Sequence, residues 1–175
     1  TARQYTSIDT HVLAMVLRAA TGKSTQDLFA EALWAKLGPE DDAVYLTDGY
    51  GVAFALGGLN LRSRDYARFG QMMLDHGRFN GVQVVPEGWA DESVRPLAPR
   101  AAGAGDEVGY GYQWWVPLTP GDEFYAVGIY GQYIYVNRES RTVIVKTSAD
   151  RAFEDDGARG YHIEYGGGMG MPGYG

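Results

Sequence analysis

An α+β fold, with helices packed on an antiparallel sheet, is what the sequence predicts, and three observations predict it. Apolar residues recur at helical spacing through the first half of the chain. From Gly109 onward the segments are rich in aromatic and β-branched residues and are separated by polar turns. Helices therefore come first and strands second, an order that suits helices set against an antiparallel sheet rather than alternating βα units. The chain has 175 residues, of which 45% are hydrophobic and 21% charged, a balance that supports one compact core.

The first helix is read from Leu13, Val16 and Leu17, with Ile8 and Val12 before them and Ala20 after. These make an apolar face that stops at Gly22, where a left-handed residue can close the helix. Ser24 or Thr25 caps a second helix carrying Leu28, Phe29, Ala32 and Leu33, which ends at Leu37-Gly38-Pro39 and pairs with the first. The acidic run Glu40-Asp41-Asp42 then leads into residues 45–58, where four glycines interrupt the apolar pattern and irregular structure is expected. Ser63 is read as the cap of a third helix bearing Tyr66, Phe69, Met72 and Met73, and His76-Gly77 ends it. Pro86 suits the first position of a short fourth helix running through Trp89 to Val94, and a loop follows through Gly105.

Strands are expected over 110–116, 123–129, 132–137 and 142–147, forming a meander. The polar run from Asn137 to Arg141 makes the last two a hairpin that pairs Tyr133-Ile134-Tyr135-Val136 with Val143-Ile144-Val145. Residues 1–150 are read as one unit. Residues 151–175, acidic and then Gly-rich, are read as a mobile tail with too little apolar area to offset the entropy of ordering. There is no internal repeat.

Composition excludes several classes of function. A net charge of -7 opposes the phosphate backbone, so a nucleic-acid partner is not expected. With no Cys, neither disulfides nor thiolate metal sites can form. No apolar run approaches the length of a membrane span, and no signal-peptide pattern is seen. His11, His76 and His162 lack any metal-ligand spacing, and Asp41, Asp42 and Asp48 lack a calcium-loop pattern, so neither a metal nor a cofactor is expected. Trp114, Trp115, Tyr110 and Tyr112 are read chiefly as core rather than as walls of a cleft.

Three stretches carry a resemblance. Tyr5-Thr6-Ser7 leads directly into the first helix. Gly57-Gly58-Leu59 precedes Ser63-Arg64-Asp65-Tyr66-Ala67-Arg68-Phe69-Gly70, with Val84-Val85-Pro86-Glu87-Gly88-Trp89 following. Gly128-Ile129-Tyr130-Gly131-Gln132 joins two strands. Together they resemble the β-lactamase-like serine hydrolases, a group that includes class C β-lactamases, and within it the branch of 6-aminohexanoate-dimer hydrolases and related esterases. The resemblance implies part of a β-lactamase/transpeptidase-like fold. It also implies an acyl-enzyme mechanism on a small-molecule amide or ester, in which Tyr5 is the catalytic tyrosine acting as general base and acid.

Under that resemblance the Ile129 N–H is the expected oxyanion donor, or the Gln132 N–H in a different register. Gly128, Tyr130, Gly131 and Gln132 are then the substrate-binding residues, the glycines allowing close approach to the strand. The cation of the family's Lys-Thr-Gly or His-Gly-Gly triplet has no counterpart in Ile129-Tyr130-Gly131, which points away from lactam antibiotics.

The family's nucleophile motif, Ser-x-x-Lys, is missing. Three residues after Ser7, Ser24, Ser63, Ser93, Ser140 and Ser148 stand Thr10, Asp27, Tyr66, Pro96, Val143 and Arg151. In the family the motif precedes the tyrosine, so the chain reads as a C-terminal half whose isolated form is inactive. The expected partner is an N-terminal half or a second copy, because helix faces shaped for that half leave an apolar patch. The alternatives are a noncatalytic binding domain that keeps the groove, and one half of a two-chain hydrolase.

Overall fold

The computed structural model describes residues 6–97 and 108–151. Four helices and nine strands lie within them: α1 (Ser7–Thr21), α2 (Thr25–Ala32), β1 (Val44–Tyr45), β2 (Leu59–Asn60), α3 (Ser63–Leu74), β3 (Arg78–Phe79), β4 (Val82–Gln83), α4 (Glu87–Ser93), β5 (Val108–Tyr110), β6 (Trp115–Pro117), β7 (Glu123–Gly128), β8 (Gln132–Asn137) and β9 (Thr142–Lys146). Strands β5 to β9 form one antiparallel sheet whose spatial order is their order in the chain. The α+β expectation therefore holds, as does the hairpin, which pairs Val136 with Val143 and Ile134 with Val145.

Strand alternation divides the sheet into two faces. Phe124 and Val136 point toward α3 and are buried with Met72, Leu74, Leu37, Ala90 and Trp114 in the main core. The Trp114 ring stacks on Phe69 at 5.9 Å and meets the Phe124 ring edge-on at 5.0 Å, which locks α3 to the sheet through three aromatics. Trp115 is also buried, but on the opposite face, with its ring edge against Tyr110 at 5.0 Å. Core packing of both tryptophans is thus the outcome.

Helix α3 lies close to the sheet because of one small residue. A Cβ added at Gly70 would fall 2.6 Å from Val143 Cγ1 and 3.2 Å from Ile134 Cγ2, so only a glycine fits under the β8–β9 pair. At the end of this helix the Gly77 N–H donates to Met72 O at 2.8 Å and the His76 N–H to Met73 O. Both residues have positive φ, as the His76-Gly77 stop signal implies. Arg138, in the turn after β8, donates through Nε and Nη2 to Met73 O and lies over the Phe124 ring, joining the helix terminus to the hairpin.

Several local expectations are corrected. Ser63 is the first residue of α3 and does not cap it; Arg62 occupies the cap, and the Ser63 hydroxyl instead meets Thr147 Oγ1 at 3.1 Å. Pro86 is the cap of α4 rather than its first helical residue. The run 110–116 is two strands, because Gln113 adopts φ 68 and turns the chain between β5 and β6. Residues 45–58 are less irregular than expected: β1 pairs with β2, and Thr47 bridges Ala53. The small hairpin β3–β4 had no sequence counterpart. Ser24 does cap α2, accepting from the Asp27 N–H at 3.1 Å, and Gly22 ends α1 at φ 70 with its N–H on Arg18 O.

Helix α1 is the exception to the packing. Its apolar residues Ile8, Val12, Leu13, Met15, Val16 and Leu17 are all between 48% and 60% exposed, and Ala14 is its one buried side chain. The face it turns to the body is instead Thr10, His11 and Ala14. No helix among the described residues is long and apolar enough to cross a membrane.

Candidate functional site

The site residues named from sequence divide between two places. Tyr5 and the expected mobile tail from residue 152 onward lie outside the described residues. The other five, Gly128 to Gln132, form the turn between β7 and β8 at one end of the sheet. Gly128 pairs with Gln132 across the ladder, leaving Ile129, Tyr130 and Gly131 as the loop.

The loop is tightly wound. Tyr130 has φ 66 and Gly131 φ 79, so two successive residues are left-handed. For glycine this is inexpensive, but for tyrosine it places Cβ close to the carbonyl oxygen and costs about 1–3 kcal/mol, a strain that a fold keeps only where the surroundings determine it. Here the Asp150 N–H donates to Tyr130 O at 3.3 Å, and Gln132 Nε2 donates to Ile129 O at 3.2 Å. The second bond fixes the Ile129 carbonyl and with it the orientation of the adjoining peptides. Ile129 and Tyr130 expose half their surface, so the loop presents backbone and side chain to solvent rather than to the core.

Register decides what shares this end of the sheet. Trp115 pairs with Tyr125, so the β5–β6 turn at residues 111–114 lies toward the same end as Val127 and Gly128. Tyr133 pairs with both Val127 and Lys146, which brings the start of β8 and the end of β9 there too. Burial pushes the Tyr133 hydroxyl above its ordinary pKa, so it stays protonated, and the Lys146 ammonium lies 5.8 Å from its ring centroid. The link from Ser63 to Thr147 fixes the start of α3 at that end as well.

Helix α1 arrives at the same end. Thr10 Oγ1 donates to Gln113 Oε1 at 2.9 Å, joining the first turn of α1 to the β5–β6 turn. The helix starts at Ser7, two residues after Tyr5, so the loop bearing Ile129 and the entry to α1 belong to one corner of the molecule. Sequence reasoning named the loop and Tyr5 as site residues and did not name Thr10 or Gln113. The two are 103 residues apart in the chain, and no local pattern couples a helix threonine to a turn glutamine over that separation.

A second polar cluster lies around the start of α3. The buried Asp65 carboxylate accepts from Arg68 and, at 3.0 Å, from the Glu40 N–H. Its Oδ2 is enclosed with no hydrogen-bond partner among the described residues. Arg64 and Arg68 both reach Glu40, and the Arg64 hydrogen bond outweighs desolvation and holds the Glu40 carboxyl below its usual range. This cluster fastens the loop before β1 to α3. Among the described residues no three His, Cys, Asp or Glu side chains are grouped as metal ligands.

Sheet, turn and helix entry together have the α+β arrangement of the β-lactamase-like fold. Residues 1–166 match the Beta-lactamase family, and the chain belongs to that family. It is 36% identical over 166 residues to the 6-aminohexanoate-dimer hydrolase of Paenarthrobacter ureafaciens, an alignment covering 91% of this chain and 41% of that protein. Among solved structures it resembles a Bacillus anthracis protein provisionally named a 6-aminohexanoate-dimer hydrolase. That match has a TM-score of 0.78 and 35% identity, and covers 86% of this chain and 39% of the other. A β-lactamase-like protein of Bacteroides dorei DSM 17855 shares the fold with a TM-score of 0.66 at 22% identity, over 85% of this chain and 52% of the other. The chain thus spans about two fifths of the length of the curated relative it matches.

Proposed function

We propose that this chain supplies the tyrosine and oxyanion side of a serine hydrolase that cleaves an amide or ester bond through an acyl-enzyme. The observation that carries the reading is the strained, solvent-facing Ile129-Tyr130-Gly131 loop at the end of the sheet where α1 begins. In such a site the serine loses a proton as it attacks the carbonyl carbon, and the carbonyl oxygen takes up negative charge. A backbone N–H held in advance at that oxygen stabilises the charge with little reorganisation. Ile129 is assigned that donor role, with Gln132 as the donor in the other register, and Gly128, Tyr130, Gly131 and Gln132 line the substrate.

Tyr5 is assigned the proton transfer. A tyrosine with a pKa of about 10 is a poor base unaided, and an adjacent ammonium favours its phenolate. In this reading the ammonium and the serine both come from a Ser-x-x-Lys segment outside this chain. The exposed apolar face of α1 supports that arrangement, since five aliphatic side chains and one methionine fit a covering partner better than water. The N-terminal half of the same hydrolase is the partner proposed. The substrate class follows from the 36% identity to a 6-aminohexanoate-dimer hydrolase: a small linear amide, or the corresponding ester.

The test is complementation. The chain alone is expected to leave p-nitrophenyl acetate and the 6-aminohexanoate dimer untouched. Adding an N-terminal half that carries Ser-x-x-Lys is expected to give turnover with covalent labelling on the added serine. Turnover by the chain alone, with label on one of its own six serines, would overturn the reading, as would failure of the mixed halves to react although they bind each other.

A further inference from the structure

The corner that holds the proposed oxyanion loop also contains a contact with no part in the acyl-transfer chemistry itself. Gln113 is exposed, left-handed at φ 68, and held rigidly from below. The Gly111 N–H donates to Trp114 O at 2.8 Å, the Gln113 N–H to Gly111 O at 3.1 Å, and the Tyr112 N–H to Ser93 O at 2.7 Å. Gly111 sits so tightly on the end of α4 that a Cβ there would be 2.1 Å from Ser93 O. Trp114, next in sequence, is anchored in the core against Phe69 and Phe124. The turn is therefore a fixed post, and the Gln113 amide projects from it.

Its oxygen accepts the Thr10 hydroxyl at 2.9 Å and faces the Tyr110 hydroxyl at 3.4 Å. The Thr10 bond joins α1 to the β5–β6 turn. His11 beside it turns inward against Phe54, and its enclosed Nδ1 has no partner among the described residues, so it does not duplicate the link. The rest of α1 turns its apolar residues outward. With a rise of 1.5 Å per residue, Thr10 is about 4.5 Å along the axis from Ser7, in the first turn after Tyr5.

We propose that Thr10 and Gln113 are a positioning pair that fixes the first turn of α1, the turn that follows Tyr5 in the sequence, against the sheet end bearing the Ile129 loop. This rests on the proposed role of Tyr5. The need for such a pair is geometric: proton transfer requires heavy-atom contact of about 3 Å, and a misplacement of about 1 Å can cost a hundredfold in rate. A helix whose apolar face is turned away from the sheet takes no such alignment from core packing on this side.

The test has two readouts. In the chain as it stands, amide hydrogen exchange at residues 10–13 is expected to rise about five-fold in Thr10→Val and in Gln113→Asn, the effect of losing one hydrogen bond. Asparagine tolerates the left-handed backbone but is too short to reach Thr10, so it tests the contact without new strain. Exchange at residues 72–74 should stay unchanged, Thr10→Ser should behave as wild type, and the double variant should be no worse than either single one. In the enzyme completed with its N-terminal half, both single variants should lower kcat with KM unchanged, and Thr10→Ser should restore it. Flat exchange overturns the pair, and raised exchange with normal kcat overturns its positioning role. Raised exchange in the chain together with no turnover by the completed wild-type enzyme overturns the acyl-transfer reading, and leaves the pin itself standing.

Discussion

Helices α1 and α3 both carry apolar residues at helical spacing and have opposite fates. On α3, Met72, Met73 and Leu74 are buried with Gly70 under the β8–β9 pair, and even the Asp65 carboxylate is buried, against Arg68 and the Glu40 N–H. On α1 the aliphatic residues and methionine face out, and the side toward this chain is Thr10, His11 and Ala14. Periodicity alone predicts that a helix has an apolar face; it says nothing of which body that face meets. The pair teaches that α3 belongs to the core seen here, whereas the apolar side of α1 is turned away from it.

The largest effect should come from opening the core beneath α3. Met72→Ala removes a fully buried side chain and is expected to cost about 2–5 kcal/mol in chemical denaturation. A loss no larger than that of a surface change would mean that α3 is not packed as described. Overpacking the same helix should cost somewhat less. Gly70→Ala forces a methyl onto Val143 and Ile134, with an expected loss of about 1–3 kcal/mol and an unchanged m-value.

Acid tests the end of α3. Burial pushes the Asp75 carboxyl up, but hydrogen bonds from Gln71 and Arg141 outweigh it and hold the group below the usual range. Its folded state therefore binds fewer protons than the unfolded one. The stability it contributes is present above about pH 4 and is lost as pH falls through the lower folded value. For a partly exposed pair this amounts to at most about 1 kcal/mol. Asp75→Asn should flatten that part of the acid limb between pH 4 and 2, and an identical limb in the variant would discount the pair.

The smallest effect on stability should come from α1. Val16→Ser is expected to change the stability of this chain by no more than about 0.5 kcal/mol, because Val16 is largely exposed. It should nevertheless weaken binding of the N-terminal half and reduce hydrophobic-dye binding. A loss of several kcal/mol in the chain alone would place Val16 in this core after all and erase the contrast between the helices.

Much of the fold was legible because its signals are local. Gly22 and Gly77 stop helices where a left-handed residue is needed, Ser24 caps α2, and the polar run after Val136 turns the last hairpin. The failures share one cause. Tyr110 to Val116 reads as a continuous aromatic strand, yet Gln113 breaks it by taking a backbone conformation imposed by the hydrogen bonds from Gly111 N–H to Trp114 O, from Gln113 N–H to Gly111 O and from Tyr112 N–H to Ser93 O. Ser63 has the residue type of a cap, yet its hydroxyl is drawn to Thr147, 84 residues away. Of the site, the Ile129 loop could be read because two glycines bracket it. The Thr10–Gln113 contact could not, since it exists only once the helix and the sheet have met.

The sheet has a consequence for the order in which the molecule assembles. Because β5 to β9 neighbour one another in sequence as well as in space, each pairing closes a short loop and sacrifices little chain entropy. The β7–β8–β9 ribbon can therefore zip up early, with α3 settling on it through Gly70. Helix α1, tied to the β5–β6 turn by a contact spanning 103 residues, would join later. A protein assembled in that sequence would have a finished sheet waiting for its first helix, so that the final docking step, and not the making of the sheet, would set when the corner shared by α1 and the β5–β6 turn appears.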